Sequence, residues 1–225
     1  MIKGEARQGL LSDDDTSDKL NIGLVFQSGA LFDSLTVKEN VGFMLYEHTN
    51  LQEEEISKAV SESLSKVGLS GVENLYPSEL SGGMKKRVAL ARAIVTDTSA
   101  GANAAEQVIM YDEPTAGLDP VASTVIEDLI RSMHDPKYVK NRVQVEQQES
   151  QSSGTGFGND AVSGVSSYIV VTHQHSTIRR SVDRIIFLHG GKVVWEGDIK
   201  EFDTTSEPIV RQFASGSLEG PIVYV

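Results

Sequence analysis

Short apolar runs alternate with longer amphipathic stretches along most of this chain. Ile22–Phe26, Val108–Tyr111 and Tyr168–Thr172 are apolar runs of strand length. Between them, Glu53–Val67 and Ser81–Val95 repeat their apolar residues with the spacing of one helix face. Strands that alternate with amphipathic helices predict an α/β fold with a mostly parallel sheet.

Two further helices are predicted, together with the residues that start them. Val37–Leu45 is a candidate short helix, and a longer one should run from Pro120 to Met133. Asp119 can cap the longer helix, because its carboxylate can accept backbone N–H groups of the first turn. At the start of the helix over Glu53–Val67, Asn50 has the spacing of a capping box.

The remaining sequence predicts one domain over residues 1–225, with a surface insertion. Gln144–Ser153 is rich in Gln, Ser and Glu, and glycines follow it, so nothing in 134–166 could form a packed core. We expect a flexible insertion, because strand-like sequence resumes directly afterwards. Arg184–Leu188 and Lys192–Glu196 flank His189-Gly190-Gly191, which predicts a β-hairpin, and residues 207–225 form a C-terminal tail.

Charge and composition exclude several classes of partner. The chain has 32 acidic and 20 basic residues, for a net charge of -12, which disfavours nucleic acid and direct adsorption to an anionic membrane. Cysteine is absent, so disulfides and thiolate metal sites are excluded. No apolar run approaches the roughly 20 residues that span a bilayer. Any membrane role is therefore expected to depend on a partner.

Polar residues follow each predicted strand of the parallel sheet, at the edge where such sheets bind ligands. Gln27, Asp112-Glu113 and His173 occupy these positions. A carboxylate that leaves a buried strand commonly holds Mg²⁺, and a second carboxylate can polarise an attacking water. Strand ends often carry acids, however, so the pair alone fits a metal site or an ordinary strand end. Gln27 and His173 are uninformative when taken singly.

The helix over Ser81–Val95 begins with features of an anion site. Ser81 is a natural N-cap, and Gly82 and Gly83 leave backbone N–H groups unobstructed, which suits phosphates. An ordinary capped helix start explains the same residues. We interpret Lys85-Lys86-Arg87 as a solvated face of this helix. Four other histidines are interpreted as structural: His48, His134, His175 and His189.

Taken together, the motifs resemble those of the ABC ATPase family, in that family's order and over nearly the whole chain. The Q-loop motif matches Val25-Phe26-Gln27, and the signature motif matches Leu80-Ser81-Gly82-Gly83-Met84. The Walker B motif matches Val108–Glu113. The D-loop motif matches Ala116-Gly117-Leu118-Asp119, and the switch motif matches Val171-Thr172-His173. The signature followed by Asp-Glu-Pro-Thr-Ala-Gly-Leu-Asp-Pro is highly specific. The resemblance implies a P-loop NTPase-like α/β domain, with a helical signature region over about 37–95.

The resemblance also implies a dimer that sandwiches ATP and Mg²⁺. Ser81, Gly82 and Gly83 would contact the γ-phosphate held by the second subunit. Asp112 would hold the metal through water, and Glu113 would be the general base. His173 would steady the transferring phosphate. Gln27 would join the metal site to the transporter interface, and Asp119 belongs to the same catalytic set.

A narrower resemblance points to ATPases of phospholipid transport. Gly23–Tyr46, Met84 and Val210–Phe213 are similar to those proteins, and most of all to the ATPases of the chloroplast trigalactosyldiacylglycerol lipid importer. The implied partners are a membrane permease, a second ATPase subunit and a lipid-binding substrate protein. The implied location is the chloroplast stroma at the inner envelope, or alternatively the inner face of a bacterial cytoplasmic membrane.

The P-loop motif G-x-x-x-x-G-K-[S/T] does not occur in these 225 residues. Gly4 and Gly9 have the glycine spacing, but Leu10-Leu11 follow them; Gly190-Gly191-Lys192 belongs to the hairpin. We therefore expect an N-terminally truncated domain that lacks its first strand and P-loop, leaves apolar sheet surface uncovered and does not hydrolyse ATP alone. The chain is therefore expected to be either an incomplete transport ATPase or a truncated, inactive subunit that binds a permease or a full-length partner. A DNA-maintenance ATPase is disfavoured by the acidic charge.

Overall fold

A computed structural model describes residues 21–95, 107–134 and 165–223 of the chain. Residues 135–164, the bulk of the predicted insertion, lie outside the described residues. The glycine pair Gly4 and Gly9 also lies outside them.

The predicted parallel sheet is confirmed. Strands β1 (Asn21–Val25), β2 (Gln107–Asp112) and β3 (Val165–Val171) lie in the order β1-β2-β3, all parallel. The predicted hairpin is also confirmed, as β4 (Arg184–His189) and β5 (Lys192–Asp198), which form a separate antiparallel sheet. Its turn residues Gly190 and Gly191 both have positive φ, the backbone conformation that glycine adopts without steric cost.

The four predicted helices are present, and three shorter helices follow β3 along the chain. They are α1 (Val37–His48), α2 (Glu53–Lys66), α3 (Gly82–Ile94), α4 (Pro120–His134), α5 (His175–Ser181), α6 (Ile199–Phe202) and α7 (Pro208–Ser215), with a 3₁₀ turn at Pro77–Glu79. Helices α1, α2 and α3 pack on one another.

The predicted capping role of Asn50 is wrong. Helix α2 has Gln52 as its N-cap, and the Glu55 carboxylate accepts the Gln52 main-chain N–H at 2.9 Å. In a capping box the N-cap residue is paired with the residue three positions later, so the box at this helix consists of Gln52 and Glu55. Asn50 lies two residues outside that turn.

Helices α3 and α4 cover one face of the parallel sheet. Val25, Ile109 and Tyr111 are buried on that side. Gly23 lets α3 approach closely, because a Cβ there would lie 3.0 Å from the Ala93 carbonyl oxygen. A smaller apolar cluster, centred on Phe202, joins α5, α6 and α7 to the hairpin.

The opposite face of the parallel sheet is apolar and exposed, as expected from the sequence. Leu24, Met110 and Ile169 occupy one row across the three strands. Leu24 is 44% exposed and Ile169 is 50% exposed. Parallel sheets are ordinarily covered on both faces, so this surface is one that association would bury.

Candidate functional site

The strand-end residues Glu113 and His173 are in direct contact. The Glu113 Oε1 atom lies 2.6 Å from Nδ1 of His173 and accepts the His173 main-chain N–H at 3.0 Å. The Thr172 hydroxyl donates to Oε2 of the same carboxylate at 3.3 Å. The Glu113 side chain is 15% exposed, whereas that of His173 is 73% exposed. An ionised carboxylate only accepts hydrogen bonds, so the contact requires the proton on Nδ1.

The backbone of Glu113 has a conformation that is unusual for a residue other than glycine. Its φ is +46°, in the left-handed region. The Glu113 N–H donates to the Val171 carbonyl at 2.9 Å, and its carbonyl accepts the Ala116 N–H at 3.1 Å. Such strain persists where surrounding contacts fix the backbone, and it clusters at functional positions. These contacts aim the carboxylate toward the segment that follows β3.

Lys86 ties Glu113 to the end of β1. Its ammonium group donates to the carbonyl oxygens of Gln27 at 3.1 Å and Glu113 at 3.3 Å. The residue is buried, and this burial lowers the pKa of its ammonium group. The prediction that Lys85-Lys86-Arg87 forms a solvated face is therefore wrong for Lys86. Helical spacing could have indicated that Lys86 is buried, because Lys86 lies one turn before the buried Leu90.

Arg87 also departs from that prediction. Its guanidinium donates to the main-chain carbonyls of Val67 at 3.4 Å and Gly68 at 3.1 Å. The group thus closes the C-terminal end of α2 against α3, where the last carbonyls of a helix lack internal partners.

The loop after β1 is held in place by α3. The Arg92 guanidinium donates to the carbonyls of Gly29 and Ala30, both at 2.8 Å. Gly29 and Ala30 both have positive φ, at +78° and +45°. The Gln27 side chain at the start of this loop is exposed, and among the described residues Lys86 is the one that contacts both Gln27 and Glu113.

The candidate metal ligands Asp112 and Gln27 have the chemistry that Mg²⁺ prefers. Asp112 ends β2 and is half-buried, and Gln27 follows β1 by two residues. Among the residues that the structure describes, neither side chain makes a hydrogen bond or ion pair. Carboxylate and amide oxygens free of protein partners fit a magnesium ion that retains several waters.

The capped turn predicted at the start of α3 is present, and its binding of phosphate stays a prediction. Ser81 caps the helix by accepting the Met84 N–H at 3.3 Å, as predicted. A Cβ added at Gly82 would lie 3.8 Å from Leu118, and one at Gly83 would lie 3.9 Å from Ala122. These are ordinary contact distances, so packing alone does not require either glycine. Their unobstructed N–H groups suit an anion.

Asp119 caps α4, as predicted. Its Oδ1 accepts the N–H groups of Val121 at 2.9 Å and Ala122 at 3.0 Å. This contact gives Asp119 a structural role, and its catalytic role remains a prediction. The loop residue Leu118 and Ala122 in the first turn of α4 lie beside the start of α3.

Comparisons with known proteins agree with these motifs. The family model described as ABC transporter matches residues 2–116. The chain is 55% identical over 223 residues to the Arabidopsis thaliana protein trigalactosyldiacylglycerol 3, chloroplastic, and covers 59% of that relative's length. It is 34% identical to the Escherichia coli K12 intermembrane phospholipid transport system ATP-binding protein MlaF, over 90% of this chain and 62% of that one.

A solved structure shares the fold. It is the dimeric ATP-binding cassette MJ0796 in a post-hydrolysis state, bound to ADP and Pi, with a TM-score of 0.56 and 28% identity. The match covers 83% of this chain and 68% of that one. Within residues 21–95, 107–134 and 165–223, no helix is long and apolar enough to cross a bilayer.

Proposed function

Because the chain belongs to the ABC transporter family, we propose that it is the ATP-binding and ATP-hydrolysing subunit of a lipid transporter. The observation that supports this most is the Glu113–His173 pair, at 2.6 Å, where the parallel strands end. The capped turn Ser81-Gly82-Gly83 supports it as well, because open glycine N–H groups suit a phosphate. ATP hydrolysis would drive lipid movement across an envelope membrane.

In the proposed reaction, Glu113 is the general base. A water oxygen attacks the γ-phosphorus, Glu113 takes the proton of that water, and the bond to the bridging oxygen of ADP breaks. His173 orients the Glu113 carboxylate through its Nδ1–H and turns toward the γ-phosphate when ATP is bound. Asp112 and Gln27 would hold Mg²⁺, which neutralises charge on the phosphates when it is bound.

The proposed partners follow from the same assignment. A second ATPase subunit would contribute the opposite half of each nucleotide site, and Ser81, Gly82 and Gly83 would contact the γ-phosphate held there. Asp119 would lie at that junction. The segment after Gln27 would form the groove that receives a helix of the membrane permease, and a lipid-binding substrate protein would be a further partner of the complex.

The chloroplast stroma, at the inner envelope, is the proposed location. The 55% identity to a protein named as chloroplastic supports it more than the 34% identity to the bacterial protein supports the bacterial alternative. The lipid-transport role is supported by the same two relatives, whose names refer to a trigalactosyl lipid and to phospholipid.

The 225 residues do not hydrolyse ATP by themselves in this proposal. They contain no G-x-x-x-x-G-K-[S/T], the motif whose N–H groups and Lys grip the phosphates. The exposed row of Leu24, Met110 and Ile169 offers an apolar face that a helix after such a loop could cover. The second candidate function, favoured by the absent motif, is an inactive subunit that binds a permease or a P-loop-bearing partner.

The test uses the protein as its own cells make it, purified with its membrane partners in detergent. We expect a co-purifying permease, ATP turnover and nucleotide-dependent transfer of labelled phospholipid between vesicles. A complex that hydrolyses ATP without moving lipid would contradict the lipid-transport part. Turnover by the isolated 225-residue chain, abolished by Glu113→Gln, would contradict its proposed inactivity.

A further inference from the structure

A buried polar network lies behind the pair formed by Glu113 and His173. Thr115 and Glu127 are each 1% exposed, and Thr177 is fully buried. Thr115 lies in the loop after β2, Glu127 lies in the middle of α4, and Thr177 lies in α5. The loop after β2, helix α4 and helix α5 therefore meet through hydroxyl and carboxylate groups. Buried positions of this kind are ordinarily occupied by apolar side chains.

The carboxylate sets the direction of these hydrogen bonds. Thr177 Oγ1 donates to Glu127 Oε1 at 2.9 Å. Each hydroxyl has one proton, so Thr177 must act as the acceptor in its 2.9 Å contact with Thr115 Oγ1. The Thr115 proton is then shared between Thr177 and Oε1 of Gln174, which lies at 2.8 Å.

Arg180 supplies the charge that a buried carboxylate needs. Its Nε lies 3.1 Å from Glu127 Oε2, and another nitrogen of the same guanidinium lies 2.9 Å from Asp128 Oδ1. The Glu127 carboxyl group is thus paired with Arg180 on one oxygen and hydrogen-bonded to Thr177 on the other, which are the contacts that a buried polar group needs.

The network reaches the reacting pair from both strand ends. Thr115 lies two residues after Glu113. Gln174 directly follows His173, and its N–H donates to Thr172 Oγ1 at 3.1 Å. That hydroxyl in turn donates to Glu113 Oε2 at 3.3 Å. The contacts form a continuous path from the Glu127 carboxylate to the Glu113 carboxylate.

We propose that Glu127 is a positioning residue, which acts through Thr177 and Thr115 to hold Glu113 and His173 at their contact distance. Glu127 touches neither nucleotide nor water in this role, and the inference rests on the proposed ATPase function. This role gives a reason for the buried Glu127 carboxylate, which the packing of α4 against α5 alone does not require. A purely structural staple between α4 and α5 would stabilise the fold and leave the Glu113–His173 geometry unchanged.

Isosteric variants separate the two roles. Thr177→Val removes the hydroxyl and keeps the shape, while Thr177→Ser restores it. Glu127→Gln keeps the size and removes the charge. Thr124→Val, on the same helix as Glu127, is the matched control, because its hydroxyl makes no hydrogen bond among the described residues.

Two measurements are made on these variants. In the transporter complex we expect Thr177→Val and Glu127→Gln to lower kcat about tenfold, with KM changed less than about twofold. Thr177→Ser should recover kcat to within about twofold of the wild type. In the ¹⁵N-labelled 225-residue chain, the ring nitrogen shifts of His173 should move in Thr177→Val and return in Thr177→Ser.

The outcomes distinguish this inference from the function it rests on. Wild-type kcat in folded Thr177→Val and Glu127→Gln, together with unchanged His173 ring shifts, would overturn the positioning role. If Thr177→Val fails to fold, Glu127→Gln decides by the same two measurements. Turnover that survives Glu113→Gln would overturn the proposed function itself, whatever the Thr177 variants do.

Discussion

The carboxylate of Glu113 accepts two hydrogen bonds from the single residue His173, one from its main-chain N–H at 3.0 Å and one at 2.6 Å from its ring Nδ1. The main-chain bond depends on the path of the chain after β3, and the ring bond depends on a side chain that is largely exposed. The ring can therefore leave the carboxylate while the main-chain contact keeps Glu113 in place. This arrangement suits a general base whose partner must also reach a phosphate.

The first prediction concerns the His173 ring. We expect His173→Ala to lower the ATP turnover of the transporter complex at least about tenfold, because it removes the Nδ1–H that orients Glu113. The thermal midpoint should hardly change, since the ring is 73% exposed. His189→Ala, in the exposed hairpin, is the control. Turnover within twofold of the wild type would contradict a role for the ring.

The second prediction concerns Lys86. Lys86→Met keeps the length of the side chain but leaves the carbonyls of Gln27 and Glu113 without their donor. We expect a loss of about 1.5–3 kcal/mol in the free energy of unfolding, the range for a hydrogen bond to a charged group. Hydrogen exchange at the Ala116 N–H, which donates to Glu113, should also become faster.

Lys85→Met is the matched control for Lys86, because the Lys85 side chain makes no hydrogen bond or ion pair in the part of the chain that the structure describes. Chemical denaturation and hydrogen exchange on the two variants give the comparison. Equal behaviour of the two variants would contradict the bridge between the two strand ends.

The third prediction is a pH dependence of stability that arises from His134. Burial, and secondarily the nearby Arg131 charge, lowers the pKa of His134 to about 4, against about 6.5 in an unfolded chain. Between these values the unfolded state binds a proton that the native state does not, so stability falls as the pH falls from about 6.5 to about 4. His134→Phe can keep the stacking on Tyr168, at 4.1 Å, and removes this proton uptake.

The measurement is the thermal midpoint at about pH 7 and about pH 5. The decrease between the two should be smaller in His134→Phe than in the wild type. His48→Phe, at the exposed end of α1, controls for the added phenylalanine. An equal decrease in His134→Phe and the wild type would show that another group causes the acid sensitivity.

The fourth prediction concerns the exposed apolar face of the parallel sheet. The isolated 225-residue chain should self-associate, because Leu24 and Ile169 belong to a continuous apolar row that is exposed to solvent. The double variant Leu24→Lys, Ile169→Lys should shift the chain toward monomer in sedimentation velocity. Val121→Lys changes a single exposed apolar residue on α4 and should leave association unchanged. A wild-type chain that stays monomeric up to its solubility limit would contradict this expectation.

The local sequence pattern predicts the helices, the strands and the residues at the strand ends, because each of these depends on only a few neighbouring positions. The strand that ends at Asp112 and the capped turn at Ser81 lie where the sequence indicates. Lys86 was misassigned because its two acceptors belong to distant segments, 59 and 27 residues away. No pattern near Lys86 specifies those partners.

The network around Glu127 was missed for the same reason. Thr177 lies 50 residues from Glu127, and Thr115 lies 62 residues from Thr177. A glutamate in an amphipathic helix ordinarily faces solvent, so its burial is visible only once α5 is packed against α4. The error at Asn50 was smaller, because the capping box exists but begins two residues later.

We propose that Glu113 is the general base of an ATP-hydrolysing transporter subunit. The most direct test measures ATP turnover of the purified transporter complex, with wild-type protein and with Glu113→Gln, in the presence of Mg²⁺. The substitution preserves size and removes the group that accepts the proton of water. We predict that turnover falls at least about a hundredfold while ATP still binds. Turnover close to that of the wild type would contradict the claim and leave the chain as a subunit that binds its partners without hydrolysing ATP.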